Sequence, residues 1–161
     1  MRLPENFDAA ERGERARSFF MDGFNCCQAV LMAFADVLEA GGLASEDLLK
    51  TIGSGFGGGF ARMRQVCGSF SACTIMAGFI LPATTPVMER RKANYALVQD
   101  MAEEFKARNG GSIVCGDLLC LTVHRPEGPA PSERTPDYYR KRPCSQIIYN
   151  AAVIVAYQLQ R

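Results

Sequence analysis

Hydrophobic positions along this chain recur at the spacing of α-helices, and nowhere do they alternate long enough to form a β-strand. The clearest case is the segment 25–40, in which Val30, Phe34 and Leu38 recur every four residues. Side chains three or four positions apart lie on one face of a helix. Asn25 is a favoured N-cap residue. The pattern therefore predicts an amphipathic helix over 25–40 that ends before a glycine pair.

Caps, glycines and prolines delimit the other predicted segments in the same way. A helix is predicted over 9–21, after Asp8, and a short one begins at Ser45 and ends at Gly53. Three further helices are predicted over 67–81, 87–108 and 144–160. A short segment capped by Ser112 runs to Leu121. A glycine-rich turn, 53–59, and a proline-rich loop, 125–136, separate some of them. The economical fold is an all-α, single-domain helical bundle of about five to six helices.

Length and composition agree with one globular unit. The chain has 161 residues, 48% of them hydrophobic and 22% charged, which is ordinary for one domain spanning 1–161. The net charge is only +1. Such a balance gives no sign of a nucleic-acid partner.

The expected compartment is the cytoplasm, because the N-terminal residues contain no apolar signal sequence. The weakly polar runs 70–83 and 147–159 fall short of the roughly 20 residues that a membrane span needs. An odd number of cysteines in such a chain argues against a structural disulfide framework. Any disulfide is then expected to be catalytic or regulatory.

Four of the seven cysteines stand at sequence signals for a helix start or a turn: Cys26, Cys67, Cys115 and Cys144. The N-terminus of a helix carries unpaired N–H groups and the positive end of the helix dipole, which favour a thiolate over a thiol. These four cysteines are therefore the candidate catalytic residues, and thiol or metal chemistry is the leading interpretation.

Cys67 is the first candidate for the reactive thiol, because the small residues after it leave room for another group to approach its sulfur. Arg62 and Arg64 precede it, and positive charge near a thiol lowers its pKa. Cys73 lies about 240° further round the same helix and is expected to pack in the core.

The spacing of the cysteines argues against several common arrangements. No Cys-x-x-Cys pair occurs, which weakens a zinc-ribbon or thioredoxin-type interpretation. Cys26 and Cys27 are neighbours, and a bridge between adjacent cysteines is strained. We expect one of the two to face the site and the other to pack. Cys115 and Cys120 are about 140° apart on a helix, which disfavours one shared tetrahedral site.

Two other features are given no chemical role. The segment 54–60 lacks the lysine and hydroxyl residue of a phosphate-binding loop, so its glycines are better explained as a sharp turn that places Cys67 at the entry of the next helix. His124 is the only histidine, and a surface position is the simpler interpretation.

In combination, several short motifs resemble a known family. They are Asn25-Cys26-x-Gln28, the run 56–59, Cys67-Gly68-x-x-x-Ala72, Cys115-x-x-Leu118-Leu119 and Cys144. The family is that of the redox-active proteins named for a C_GCAxxG_C_C pattern, whose members are small, have four recurring cysteines and tend to be encoded near transporter genes. The resemblance spans about 23–156. Ser69 stands where the family has Ala, and Ala72 where it has Gly.

The resemblance implies that Cys26, Cys67, Cys115 and Cys144 form the functional set and that Cys27, Cys73 and Cys120 lie outside it. The first hypothesis is a thiol–disulfide oxidoreductase-like protein in which Cys67 attacks and Cys26 or Cys144 resolves, with a redox partner protein or a small thiol as partner. It predicts that two of the four sulfurs lie close enough to bridge.

Two alternatives stay open. In the second hypothesis Cys26, Cys67, Cys115 and Cys144 bind zinc or an iron–sulfur cluster as metal ligands. In the third, the chain is a helical interaction module, an accessory to a membrane transporter, whose cysteines mainly pack. A homodimer fits any of the three.

Overall fold

The structure is a computed structural model that describes residues 1–161. It contains nine α-helices and no β-strand, so the all-α prediction is confirmed, although the helices outnumber the five to six expected. In chain order they are α1 (Ala9–Met21), α2 (Cys26–Met32), α3 (Ala35–Ala40), α4 (Glu46–Gly53), α5 (Gly68–Ile80), α6 (Met88–Arg108), α7 (Cys115–Leu118), α8 (Pro136–Lys141) and α9 (Cys144–Leu159).

Local capping explains where the predicted helices begin. The Asp8 carboxylate accepts a hydrogen bond from the Glu11 N–H at 2.8 Å, and the Ser45 hydroxyl accepts one from the Leu48 N–H at 3.2 Å. Both bonds satisfy N–H groups that have no partner within the helix. The predicted starts of α1 and α4 are therefore confirmed.

The predicted single helix over 25–40 was wrong, because the chain breaks between α2 and α3. The Ala33 carbonyl accepts a hydrogen bond at 2.8 Å from the guanidinium of Arg12, whose side chain is buried against this turn. The Phe34 N–H bonds the Leu31 carbonyl instead, in the tighter i to i−3 pattern. The break thus comes from a tertiary contact with α1.

The core is one cluster of 30 buried residues, and α9 runs through it. Helix α1 packs along α9, and a Cβ added at Gly13 would come within 2.5 Å of the Tyr149 ring. Gly13 thus allows the close approach of the two helices. Helices α2 and α5 pack against each other and against α9. The starts of α2, α5 and α9 are therefore held by a shared core.

Helix α6 lies at the surface and buries only Leu97, Met101 and Phe105. Short helix α8 directly follows the proline-rich loop, where Thr135 caps it by accepting from the Tyr138 N–H at 3.1 Å. None of the helices combines the length and the hydrophobicity needed to cross a membrane.

Candidate functional site

Four helices begin around one cavity, and each contributes a cysteine. Cys26 is the first residue of α2, Cys67 immediately precedes α5, Cys115 is the first residue of α7 and Cys144 is the first residue of α9. All four line a cavity of about 330 Å³, called here the cysteine cavity. The chain thus brings together four cysteines that are spread over about 120 positions of the sequence.

The start of α2 is fixed by a reciprocal capping box. The Asn25 side chain accepts hydrogen bonds from the N–H groups of Cys27 and Gln28, and the Gln28 side chain accepts from the Asn25 N–H at 3.2 Å. Asn25 also donates to the Gly53 carbonyl at 3.1 Å. These bonds hold Cys26 at the first turn of its helix and tie that turn to the end of α4.

Cys67 and Cys115 are brought together by a short antiparallel pairing. The Cys67 N–H donates to the Ile113 carbonyl at 2.8 Å, and the Cys115 N–H donates to the Gln65 carbonyl at 2.7 Å. Val66 and Val114 form the isolated bridge between these two bonds. Backbone pairing therefore places the starts of α5 and α7 side by side.

A left-handed stretch of backbone leads into this pairing. Residues 58–62 all have positive φ, between 47° and 70°, although only Gly58 and Gly59 lack a side chain. At Gly59 a Cβ would come within 2.7 Å of the Cβ of Cys115. The left-handed conformation costs roughly 1–2 kcal/mol for each residue with a side chain. The predicted sharp turn is present, and strain is stored beside the cavity.

The pKa of Cys26 is lowered to about 6. The hydrogen bond with the Cys67 side chain is the largest cause; burial opposes it, and backbone hydrogen bonds from Gly58, Cys27 and Gly68 add to the lowering. These groups all stabilise the charged form of the sulfur. Cys26 is therefore a thiolate at neutral pH.

The other three cavity cysteines are protonated at neutral pH. The same hydrogen bond with Cys26, together with burial, raises the pKa of Cys67 well above its ordinary value. Burial raises the pKa of Cys144 to about 12. Burial also raises the pKa of Cys115, and the hydrogen bond from Arg64 partly offsets this rise. The sequence predicts a lowered pKa for Cys67. In the structure the interaction between the two side chains raises the pKa of Cys67 and lowers that of Cys26, and backbone hydrogen bonds from Gly58, Cys27 and Gly68 add to the lowering at Cys26.

Arg62 and Arg64 reach the cavity but not the thiol for which the sequence suggested them. Nη1 of Arg64 lies 3.7 Å from the Cys115 sulfur. Glu127, in the proline-rich loop, bonds Arg62 at 2.6 Å and Arg64 at 2.7 Å. The Glu127 carboxylate thus links the proline-rich loop to the left-handed stretch 58–62 and to Arg64.

Several residues of the cavity wall were missed by sequence reasoning, among them Ser69, Arg134, Tyr138 and Arg142. Ser69 had been noted only as a small residue. Arg134 and Arg142 flank α8 in the sequence, and the only signal was the position of Arg142 two residues before Cys144. The positions of these arginines in the sequence do not show that their side chains line the same cavity.

The remaining cysteines lie outside the cavity. Cys27 and Cys73 are fully buried in the core, and the Cys73 thiol donates to the Ala151 carbonyl at 3.7 Å. Cys120 is exposed. The prediction that Cys73 packs in the core is confirmed. His124 packs over Gly116, and its Nε2 lies 3.3 Å from the Asp117 carboxylate.

All seven cysteines are free thiols, and no group of three or more histidine, cysteine, aspartate or glutamate side chains is arranged to hold a metal ion. Four thiols are chemically suited to zinc or to an iron–sulfur cluster. As arranged, however, the sulfurs of the cavity do not form such a ligand set.

Sequence comparison supplies the family. A family described as "Putative redox-active protein (C_GCAxxG_C_C)" matches residues 24–157 of the 161. The chain belongs to this family. The matched range contains all seven cysteines, the four that line the cavity among them. No curated protein and no solved structure matches the chain.

Proposed function

We propose that this protein is a thiol–disulfide redox protein in which Cys26 attacks and Cys67 resolves. One observation carries the proposal: four cysteines from distant parts of the chain, Cys26 and Cys67 among them, line one cavity. Membership of a family described as redox-active supports the same chemistry.

The order of attack follows from the protonation states. The nucleophile in thiol–disulfide exchange is the thiolate, and a thiol with a pKa close to the ambient pH reacts fastest. Cys26, with a pKa of about 6, meets this condition. Cys67 keeps its proton until Cys26 has reacted, because the shared hydrogen bond stabilises the pair with one negative charge.

The reaction has two steps. The Cys26 thiolate attacks one sulfur of a substrate disulfide, so that a mixed disulfide forms and one half of the substrate leaves as a thiolate. Cys67 then loses its proton and attacks the Cys26 sulfur, which releases the second half. The substrate gains two electrons, and the protein gains a Cys26–Cys67 disulfide. A dithiol, either a small molecule or a partner protein, reverses the oxidation.

The test counts and maps thiols. Reduced protein is treated with a mild disulfide oxidant, unfolded in acid, alkylated and digested. We expect the loss of two thiols, a single bridge between Cys26 and Cys67, and recovery of both thiols with a dithiol reductant. The same treatment of the Cys26→Ser variant is expected to leave the thiols intact, whereas the Cys27→Ala variant is expected to behave like the wild type.

Other outcomes separate the other hypotheses. A bridge that excludes Cys26 would overturn the assignment of the nucleophile. Stoichiometric zinc or iron in protein purified without added metal would favour the four-cysteine metal site. Full retention of binding to a transporter after replacement of all four cavity cysteines would favour the accessory module.

A further inference from the structure

The wall of the cysteine cavity is strongly cationic. No aspartate or glutamate lines it, whereas four arginines do: Arg62, Arg64, Arg134 and Arg142. Glu127 neutralises part of the charge of the first two from the adjacent loop. The cavity therefore carries more positive charge than the Cys26 thiolate in its lining and the adjacent Glu127 balance.

Arg134 and Arg142 are the two cations without an acidic partner. Their guanidinium carbons lie 4.8 Å and 4.6 Å from the centroid of the Tyr138 ring. Arg134 donates only to the backbone carbonyls of Phe20 and Phe24, and Arg142 makes no hydrogen bond. Stacking on Tyr138 fixes both groups while leaving donors unused. Both residues line the cysteine cavity, so their unused donors are available to an anion there.

An independent observation points to a bound ligand. Ser69 lines the cavity wall and is fully buried, yet its hydroxyl has no hydrogen-bond partner. A buried hydroxyl without a partner is unfavourable, and most such groups in proteins are satisfied. The unpaired hydroxyl and the unpaired guanidiniums are parts of the same cavity.

We propose that the cysteine cavity binds a small anionic disulfide. Arg134 and Arg142 hold its anionic group, and one of its polar atoms forms a hydrogen bond with the Ser69 hydroxyl. The inference rests on the proposed function, since the disulfide is the substrate of the exchange described above. A volume of about 330 Å³ is at the lower end of the range for small-molecule pockets, which excludes a folded partner from the cavity itself. Leu118, Leu119 and Pro129 supply an apolar wall for an aliphatic chain.

Three probes of similar length and different charge test the proposal: the dianion of 3,3′-dithiodipropionic acid, neutral 2-hydroxyethyl disulfide and cationic cystamine. The rate of mixed-disulfide formation at Cys26 is measured by mass spectrometry and divided by the rate of the same probe with a small free thiolate, because the three leaving thiols differ in pKa. We expect the dianion to react about tenfold or more faster than the neutral probe, cystamine to react slowest, and added salt to reduce the difference. Equal rates for the dianion and the neutral probe would overturn the inference while leaving the proposed function intact.

Single substitutions test which side chains cause the faster reaction of the dianion. Arg142→Gln is expected to slow the dianion about tenfold and to change the rate of the neutral probe less than twofold. Arg142→Lys, which keeps the charge, is expected to restore most of the rate. Arg140→Gln is the control, because Arg140, two residues earlier on α8, is exposed and pairs with Asp137 outside the cavity. Ser69→Ala is expected to slow the dianion about three- to tenfold.

A ligand without sulfur separates binding from chemistry. Suberate has the length and charge of dithiodipropionate but no disulfide, and 1,8-octanediol is its neutral counterpart. Calorimetry on the Cys26→Ser protein is expected to give saturable suberate binding that Arg142→Gln weakens, and none for octanediol. Suberate binding without reaction of any probe at Cys26 would support the anion site and refute the proposed exchange. Failure of suberate to bind would overturn the anion site.

Discussion

The Cα of Gly68 packs against the sulfur of Cys26, so that a Cβ at position 68 would overlap that sulfur and lie 2.7 Å from the Phe56 carbonyl oxygen. Gly68 has no positive φ, so space and not backbone conformation requires glycine here. The same residue contributes a backbone hydrogen bond that lowers the pKa of Cys26. The Cys-Gly pair at 67–68 is therefore part of the environment of a cysteine about 40 positions earlier.

Replacing Gly68 with alanine is expected to displace the Cys26 sulfur from Cys67 and from the backbone N–H groups around it. The pKa of Cys26 then rises toward its ordinary value of 9.0. At pH 7 the thiolate fraction falls from about 90% toward about 1%. Alkylation of Cys26 by iodoacetamide should slow about tenfold or more, as measured by quenched mass spectrometry. Gly78→Ala is the matched control, since no atom lies within 4 Å of a Cβ there, and it should leave the rate unchanged.

The hydrogen bond from Cys67 is the largest cause of the lowered pKa of Cys26. We expect Cys67→Ala to move the midpoint of Cys26 alkylation from about pH 6 toward 9.0, and Cys67→Ser, which keeps a donor, to move it less. The midpoint is read from the rate of alkylation against pH. An unchanged midpoint in the alanine variant would contradict the assigned cause.

The lowered pKa of Cys26 also makes the stability of the fold depend on pH. Because folding favours the ionised sulfur, its contribution is complete above the unfolded value near 9 and is lost as the pH falls through about 6. The difference in free energy of unfolding between the wild type and Cys26→Ser, measured by denaturant titration, should therefore shrink from pH 9 to pH 6. A difference that grows with acidity would refute the ionisation state assigned to Cys26.

Glu127→Gln is expected to loosen the proline-rich loop, because this carboxylate joins Arg62 and Arg64 to it. Glu127 is partly exposed, so the loss of stability should be about 1 kcal/mol or less. Digestion by a broad-specificity protease should become faster within 125–136. Glu133→Gln is the control, as Glu133 is exposed in the same loop and forms no ion pair.

The same contact predicts an acid response in the wild type. Hydrogen bonding to Arg64 holds the pKa of Glu127 below its ordinary 4.5. Its stabilisation is thus present above 4.5 and is lost as the pH falls through the lowered value. Cleavage of the loop should rise in that range in the wild type but not in Glu127→Gln, whose loop is already loose. Equal acid responses in the two proteins would contradict the role of Glu127.

Asp36→Asn is expected to destabilise the fold by about 2 kcal/mol, because it leaves the buried guanidinium of Arg12 without its counterion. Burial opposes ionisation of Asp36, but hydrogen bonding to Arg12 outweighs it and keeps the pKa of the carboxyl below its ordinary value. Thermal and denaturant unfolding measure the loss. Asp100→Asn on α6 is the control, since Asp100 is exposed and forms no ion pair, and it should change stability by less than about 0.5 kcal/mol.

Local sequence signals were enough for much of the architecture. The helical period, the Asp8 and Ser45 caps, and the stops at glycine and proline act over a few residues, and α1, α4, α5, α6 and α9 lie where they predicted helices. Short-range signals also placed the four cysteines at helix starts. They did not predict the break between α2 and α3, which depends on Arg12, some 20 positions earlier.

The sequence by itself determined an all-helical chain with four cysteines at helix starts, because periodicity and capping are local properties of the backbone. Only the tertiary structure decided that these starts share one cavity, that the pKa of Cys26 is lowered while that of Cys67 is raised, and that Arg134 and Arg142 line the same space. The physical reason is that a pKa depends on which donors, charges and apolar groups surround an atom. In this protein most of those neighbours come from distant parts of the chain and meet only after α2, α5 and α9 have packed together.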